Sequence, residues 1–481
     1  MMSFVERQGR LSPTALAFSG SLLLSLVAIA GAVTVGRDAA LYLHAAQQAL
    51  EHGPRAAFPL FDWPWFSLLL AGTHWLTAVP LESAGYLWCA LFTAGTCALL
   101  VSVSERFVAG SGYWASLVVL SIPAFNQFRD DIIREPGFWF FSILALSLAL
   151  RWLESGGWLR AAALQMAIGG AALFRLEAVI LVPALTLCLL AEFPGRQGWM
   201  RLLQLNALPL AAALIALVAA GQGISQSRVD YYLSLIDPHR FVLRFDLMAN
   251  QFAVAALEKY STDDARQIVF FGLAFTLLSK FFLLNGPLLL PLLYPAAWPG
   301  VRDYWRKLRP FAWAWLLFFC VLLLFFVQQR FINSRYVSFL NLLAVPVLTI
   351  ALLRFAGRFP RGSRLLVALV VLVMLHNVIS LGARKTHYLE AGAWLSQHTH
   401  PADPIFYDDQ RIAYYAGRGY PQMPVTREQA LTAGQSANFR YFVLTAKPGD
   451  PTLKRWLAEQ HKQILEAFSN RKGDTVVIIG D

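Results

Sequence analysis

The run from Leu16 to Val35 carries no charge, and at ~1.5 Å per helical residue it is long enough to cross the ~30 Å hydrocarbon core of a bilayer. Comparable runs recur near 84–107, 113–128, 138–153, 161–174, 177–192, 204–222, 267–297, 311–328, 336–354 and 364–382. Roughly eleven spans are therefore expected. Backbone amides left unpaired in hydrocarbon are costly, and these runs are twice the length of barrel strands with no alternation, so the spans must be helices. A content of 57% hydrophobic and 14% charged residues, with a mean hydropathy of +0.51, fits a polytopic membrane protein and excludes an ordinary soluble domain.

Basic residues set the expected orientation. Arg302, Arg306, Lys307 and Arg309 crowd one loop, and Arg354, Arg358, Arg361 and Arg364 another; both fall on the side of Arg7 and Arg10, which is read as cytoplasmic. The opposite side then receives Asp38, residues 129–135, Arg175 and Glu177, the segment 223–266, Arg330, Arg335 and the C-terminal tail. The net charge of +11 is thus explained by topology, and no nucleic-acid partner is implied, because the cations sit at membrane edges rather than on one soluble face. The N-terminal Arg7, Arg10, apolar run and Ala28-Ile29-Ala30 imitate a signal peptide, but are read as an uncleaved first span; cleavage would leave Asp38 on the same side. All four cysteines, Cys89, Cys97, Cys188 and Cys320, lie in apolar runs without CxxC spacing and read as packing residues.

Two segments depart from plain spans. Asp62 to Pro80, with Trp63, Pro64, Trp65, His74 and Trp75, suits a helix lying in the membrane interface. Residues 267–297 carry Lys280 and an Asn285-Gly286-Pro287 break, predicting either one kinked span or a span plus a half-helix. Composition turns polar from about Arg384. Strand-like Ile405–Tyr407, Tyr441–Leu444 and Thr475–Ile479 alternate with helical patterns at 388–398, 410–416 and 451–468. The expected fold class is an all-α polytopic domain over 1–383 followed by a small α/β aqueous domain over 384–481.

In so apolar a chain, charges between spans are where chemistry is sought. Asp38 follows the first span and shares a helical face with Leu41, Tyr42 and Ala45, which puts a carboxylate at the membrane surface; an N-cap for a helix over 39–50 explains it as well. Arg129, Asp130, Asp131, Arg134 and Glu135 fill the gap before the fourth span. The arginines could hold a phosphate while a carboxylate takes a proton or a divalent cation, although a solvated loop would also carry such charges and Glu135-Pro136 is a good helix start. Phe174-Arg175-Leu176-Glu177 joins two apolar runs almost without a loop, and Arg330 to Tyr336 opens a late span with two cations. Helix-to-helix pairing and interfacial anchoring are their bland explanations. Carboxylates for base work and arginines for an anionic head group, all at lipid-phosphate depth, suit a lipid-linked phosphate substrate. The absence of Rossmann and P-loop patterns agrees with a donor that is not a nucleotide sugar.

The layout resembles the polyprenyl-phosphate-dependent membrane glycosyltransferases of the GT-C superfamily, especially family 39 and the aminoarabinose-transferase-like bacterial enzymes. The resemblance rests on Arg37-Asp38-Ala39-Ala40-Leu41-Tyr42 after the first span, the interfacial segment 62–80 and Arg134-Glu135-Pro136-Gly137-Phe138-Trp139-Phe140-Phe141 at the fourth. It continues with Ser334-Arg335-Tyr336-Val337 at a late span and Tyr414-Tyr415-Ala416-Gly417 in the aqueous domain. It implies inverting transfer of a sugar from a polyprenyl-phosphate donor to a hydroxyl of a lipid, glycan or protein acceptor on the outer face of the membrane. Asp38 would then act as base, Asp130, Asp131 or Glu135 would supply a second acid, and Arg129, Arg134, Arg175 and Arg335 would hold the donor phosphate. Tyr42, Glu177 and Tyr336 adjoin these as candidate substrate contacts. The segment 223–266, with Arg228, Asp230, Tyr231, Tyr232, His239 and Arg240, would be a cover or an acceptor contact, or a plain amphipathic loop. Many relatives carry Asp-Glu in the first loop where this chain has Asp38-Ala39. That departure speaks against a two-carboxylate metal site there, leaves a divalent cation as an unassigned candidate cofactor, and admits a diverged or inactive member. The rival readings are a transporter or flippase for a lipid-linked or anionic solute, which would want polar residues along the middle of several spans, and a non-catalytic envelope-assembly protein.

Overall fold

The computed structural model describes residues 11–190, 195–221, 234, 237–379, 382, 384–447 and 449–481. Seven of its helices are long and apolar enough to cross a membrane: Pro13–Gly31, Leu81–Phe107, Glu135–Ser155, Lys259–Leu293, Arg309–Gln329, Ser334–Arg358 and Pro360–Val378. Shorter apolar helices cover Gly112–Ser121, Trp158–Phe174 and Leu176–Leu189, and Arg196–Gly221 is a further helix with Pro209 inside it. Every expected span thus has a helical counterpart, but two differ in form. The run expected over 113–128 is a helix to Ser121 and then a single turn over Pro123–Asn126, broken between them because Ile122 precedes Pro123 and is held extended at φ −65°, ψ 126°. The run expected over 267–297 breaks where anticipated: the helix ends at Asn285, Gly286 takes φ +55°, and a 3-10 stretch continues over Gly286–Leu293. The interfacial segment contains the helix Trp65–Thr77.

The chain divides into two compact units. The first takes in Met1–Val27, Trp88–Arg129 and Arg134–Val378. Its most enclosed span is Ser334–Arg358, with 78% of its apolar window buried against 22% for Pro13–Gly31, so the bundle is organised around this helix. Small residues let the helices approach: an added Cβ at Gly95 would run into Phe140, one at Gly170 into Phe141, and one at Gly300 into Ile350.

The second unit takes in Ala28–Leu87, Asp130–Ile133 and Ile379–Asp481. At its centre is a four-stranded sheet in the order β1-β2-β4-β3, with β1 Ile405–Tyr407, β2 Tyr441–Thr445, β3 Gln463–Ser469 and β4 Thr475–Gly480. β1 lies parallel to β2, and β4 is antiparallel to both β2 and β3. Every residue of β4 is buried because both faces are covered. Val476 and Ile478 join a core with Tyr388, Ala391 and Leu395 of the helix Thr386–His398, while Val477 and Ile479 join one with Leu453 and Trp456 of the helix Pro451–Glu459. The helical pattern read over 451–468 is corrected here. His461 adopts a left-handed φ of 52°, the Lys462 amide closes the helix by donating to the Leu457 carbonyl, and the chain returns as β3. The helix formers in Gln463-Ile464-Leu465-Glu466-Ala467 are overridden by the open edge of β4, which β3 pairs from Gln463↔Gly480 to Ser469↔Thr475.

The segment after the first span packs into this unit. The Val35 amide donates to the Tyr415 hydroxyl at 2.7 Å, and Arg37 Nε meets Asp409 Oδ2 at 3.1 Å. A chain stretch that follows the first span and one that follows the last therefore share one side of the membrane. Truncating Ile478 to Ala in the full chain should cost about 3 kcal/mol through the cavity it leaves between the β4 face and the Thr386–His398 helix. Limited proteolysis against urea should show earlier cleavage within 384–481, and an unchanged midpoint would contradict the packing.

Candidate functional site

In the first unit the polar residues gather where helices end. The helix Trp158–Phe174 stops at Arg175, which is extended at φ −145°, ψ 120°, and the 3-10 turn Leu176–Ile180 follows at once. The neighbouring helix Glu135–Ser155 starts with Glu135, with Pro136 in its first turn. Gly137 sets their registration: a Cβ there would fall inside the Phe174 ring, so only glycine lets Phe174 tuck against the first turn of the helix that Glu135 opens. Phe174 then stacks on Phe141 at 5.9 Å and meets Phe92 edge-on at 5.2 Å.

Arg175 is held between two glutamates. Its Nη1 donates to Glu135 Oε1 at 2.7 Å and its Nη2 to Glu177 Oε1 at 2.6 Å, with side-chain exposures of 9%, 4% and 11% for Arg175, Glu135 and Glu177. Arg335, in the first turn of Ser334–Arg358, brings Nε to 3.5 Å from the same Glu135 oxygen, and the charge of Arg134 acts on both glutamates. Tyr336 lies beneath the guanidiniums, its ring 4.5 Å from Arg175 Cζ and 5.3 Å from Arg335 Cζ. Three arginines face two carboxylates here, leaving an excess positive charge beside an aromatic wall. Chemically, such an arrangement suits a phosphate or another compact anion.

Arg129 stands apart from this group. It is 4% exposed, and donates from Nε to Asn126 Oδ1 at 2.7 Å and from Nη1 to the Ser21 carbonyl at 2.9 Å, Ser21 Oγ at 3.0 Å and Ser25 Oγ at 2.9 Å; its Nη2 has no hydrogen-bond partner among the described residues. It braces the helix Pro13–Gly31 against the end of the next loop.

The other sequence candidates lie in the second unit. The helix expected over 39–50 begins earlier, at Arg37, with Gly36 as its N-cap and no side-chain cap bond. Asp38 therefore stands half-buried in the first turn, near the positive end of the helix dipole, and is not the cap. Asp131 comes to the same turn: its Oδ1 lies 3.1 Å from where a Cβ on Gly36 would be, so the absence of a side chain at Gly36 gives this carboxylate its place. Asp130 is half-buried, and burial pushes its carboxyl above the ordinary value against the opposing pull of its own backbone hydrogen bond. The charges of Asp130, Asp131 and Glu82 all bear on the Tyr86 hydroxyl, and that of Asp38 on Tyr420. Tyr42 is buried, its ring 5.5 Å from Phe61 and 5.7 Å from Phe66, and so belongs to the packing beneath this turn.

Of the residues that hold this turn in place, sequence reasoning named Arg37 and Tyr415 but passed over Asp409 and Arg411. Asp409 accepts from Arg411 at 2.9 and 2.7 Å and from Arg37 at 3.1 Å, and Tyr415, whose hydroxyl burial pushes up to about 12, accepts from the Val35 amide. The signal was present as Asp408-Asp409-Gln410-Arg411 directly after an apolar strand. Among the described residues no three His, Cys, Asp or Glu side chains converge as metal ligands. Arg228, Asp230, Tyr231 and Tyr232 fall outside the described residues, whereas His239 and Arg240 are exposed in the first turn of Pro238–Ala256, capped by Asp237.

Two outcomes follow from this geometry. Gly137→Ala should lower the thermal midpoint of the detergent-solubilised protein by the equivalent of about 1–3 kcal/mol by driving Phe174 away, while Gly169→Ala, with nothing within 4 Å, should be neutral or stabilising. Burial alone would raise the Asp409 carboxyl, but the hydrogen bonds and charge of Arg411, with Arg37, hold it below its usual value. Its contribution to stability is therefore complete above the unfolded value of about 3.9 and is lost as pH falls through the lower folded value. Acid unfolding of the full chain, followed by tryptophan fluorescence, should lose part of that pH dependence in Asp409→Asn.

No protein-family model matches the sequence, and no curated protein sequence matches it. Among solved structures, the chain is similar to ArnT from Cupriavidus metallidurans in the apo state, with 13% identity and a TM-score of 0.56 over 96% of this chain and 97% of that one. ArnT bound to undecaprenyl phosphate (13% identity, TM-score 0.46, 96% and 97% covered) and an Archaeoglobus fulgidus oligosaccharyltransferase in complex with zinc and sulfate (11%, 0.47, 96% and 72%) are also similar. The ArnT likeness spans nearly both whole chains, so the chain shares the fold of that structure.

Proposed function

We propose that the chain is a membrane glycosyltransferase that moves a sugar from a polyprenyl phosphate to an acceptor hydroxyl on the outer face of the bacterial inner membrane. The observation that carries this reading is the group Arg134, Arg175 and Arg335 around Tyr336, in which two glutamates fix the guanidiniums and leave net positive charge for a phosphate. The GT-C fold supports it, as does the capture of ArnT with undecaprenyl phosphate.

In this reading Asp38 takes the proton of the acceptor hydroxyl, whose oxygen forms a bond to the anomeric carbon from the face opposite the phosphate. The bond from that carbon to the phosphate oxygen breaks, and the electron pair leaves with the lipid phosphate, so configuration inverts. The arginines stabilise the charge that develops on the leaving phosphate. Asp131, beside the Asp38 turn, orients the acceptor. The acceptor is a lipid, glycan or protein, and the N-terminus is cytoplasmic with the sheet domain in the periplasm.

Asp38→Asn in neutral nanodiscs should lower turnover about 100-fold or more while leaving donor affinity unchanged. Arg335→Ala should weaken donor binding about tenfold. Full turnover by Asp38→Asn would remove the base from the scheme. In cells lacking the protein, a polyprenyl-phosphate sugar should accumulate, and an unaltered envelope and lipid-carrier pool would count against a transferase and for a scaffold.

A further inference from the structure

The second unit contains a cavity of about 460 Å³ that the proposed reaction leaves unused. It lies between the start of the Arg37–His52 helix, the start of the Thr386–His398 helix and the ends of β2 and β4. Arg37, Lys385 and Lys447 line it, together with one acid, Asp474. Asp474 is already occupied, its Oδ2 accepting from Asn470 Nδ2 at 2.8 Å. Arg37 is shared with Asp409, but neither lysine has a carboxylate within ion-pair distance among the described residues. His387 adds an independent observation: it lines the cavity, is 3% exposed, and its Nδ1 has no hydrogen-bond partner among the described residues. A buried polar nitrogen left unpaired is costly, and a hydrogen bond from a ligand atom would relieve it. The ring of Tyr388 completes the wall and suits the carbon face of a sugar or glycerol carrying the anion, while the Thr445 and Thr475 hydroxyls donate to Asp408 Oδ2 at 3.0 Å and to the Gly473 carbonyl at 3.1 Å.

We infer that this cavity is a phosphate-binding site in which Arg37, Lys385 and Lys447 hold the anion and His387 Nδ1 hydrogen-bonds it, separate from the arginine group of the membrane-spanning unit. The shared chemistry is a phosphate on a small polyol, supplied either by a soluble sugar phosphate or by an anionic lipid headgroup. Burial, together with the nearby charge of Arg411, holds the Lys385 ammonium below its usual value, and burial with the charge of Lys385 lowers His387 while Asp474 and Glu390 oppose it. A bound anion favours the charged forms of both groups.

The inference stands apart from the transferase reading and is tested without turnover. The full chain in phosphatidylcholine nanodiscs is acetylated at its lysines in the presence of increasing inorganic phosphate, or of glycerol phosphate, and a second sample in phosphatidylglycerol nanodiscs is treated without free phosphate. Saturable protection of Lys385 is expected in at least one arm, with Lys454, exposed on the Pro451–Glu459 helix, unprotected. Protection by the free anions assigns a soluble phosphate, and protection by phosphatidylglycerol alone assigns a lipid headgroup. In Lys447→Ala, an exposed position, the half-protecting concentration or lipid fraction should rise at least tenfold. Lys385 equally reactive in every arm, or protection unaltered by Lys447→Ala, would overturn the site.

Discussion

A guanidinium in an apolar bundle must be compensated on the spot, and Arg175 between Glu135 and Glu177 is how this chain does it. Removing one partner of such a buried pair costs about 3–5 kcal/mol, because the remaining charge has nowhere to go. The ends of two helices and one 3-10 turn are accordingly joined by hydrogen bonds, and the start of a third helix approaches them through the Arg335 ion pair. Gly137 and the Phe174 ring supply the close approach that this tolerance demands, and the aromatic stack of Phe174 with Phe141 and Phe92 makes that approach rigid. The carboxylates thus hold Arg175 in place with no ligand bound.

Arg129 answers the same physical problem differently. It has hydroxyls and carbonyls in place of carboxylates, drawn from Ser21, Ser25 and Asn126, and these solvate the charge without neutralising it. Such a residue tethers a helix to a loop, and its donors are largely spent. The contrast separates two arginines that look equivalent on paper: Arg175 and its neighbours keep surplus charge at the bundle edge, whereas Arg129 is enclosed.

The membrane architecture was legible in the sequence because bilayer thickness leaves few alternatives for long apolar runs, and the strands β1, β2 and β4 were legible because both of their faces are buried. β3 was not, since Ile464-Leu465-Glu466-Ala467 carries helix propensity and becomes a strand only through the edge that β4 offers. The site candidates were legible as isolated charges between spans. Their grouping was not: Asp131 reaches the Asp38 turn only because Gly36 lacks a side chain, and the pairing of Arg37 with Asp409 joins residues 372 positions apart, a separation that no local pattern encodes.

That separation bears on how the protein is made. Arg37 and Val35 leave the ribosome among the earliest residues, and their partners Asp409 and Tyr415 follow only after every membrane span has been synthesised. During that interval the loop after the first span has its apolar helix and its acidic turn but not the clasp that fixes them. The turn carrying Asp38 thus acquires its final shape as nearly the last event of biogenesis, and a chain interrupted before the sheet domain would insert in the membrane with its first loop unfinished.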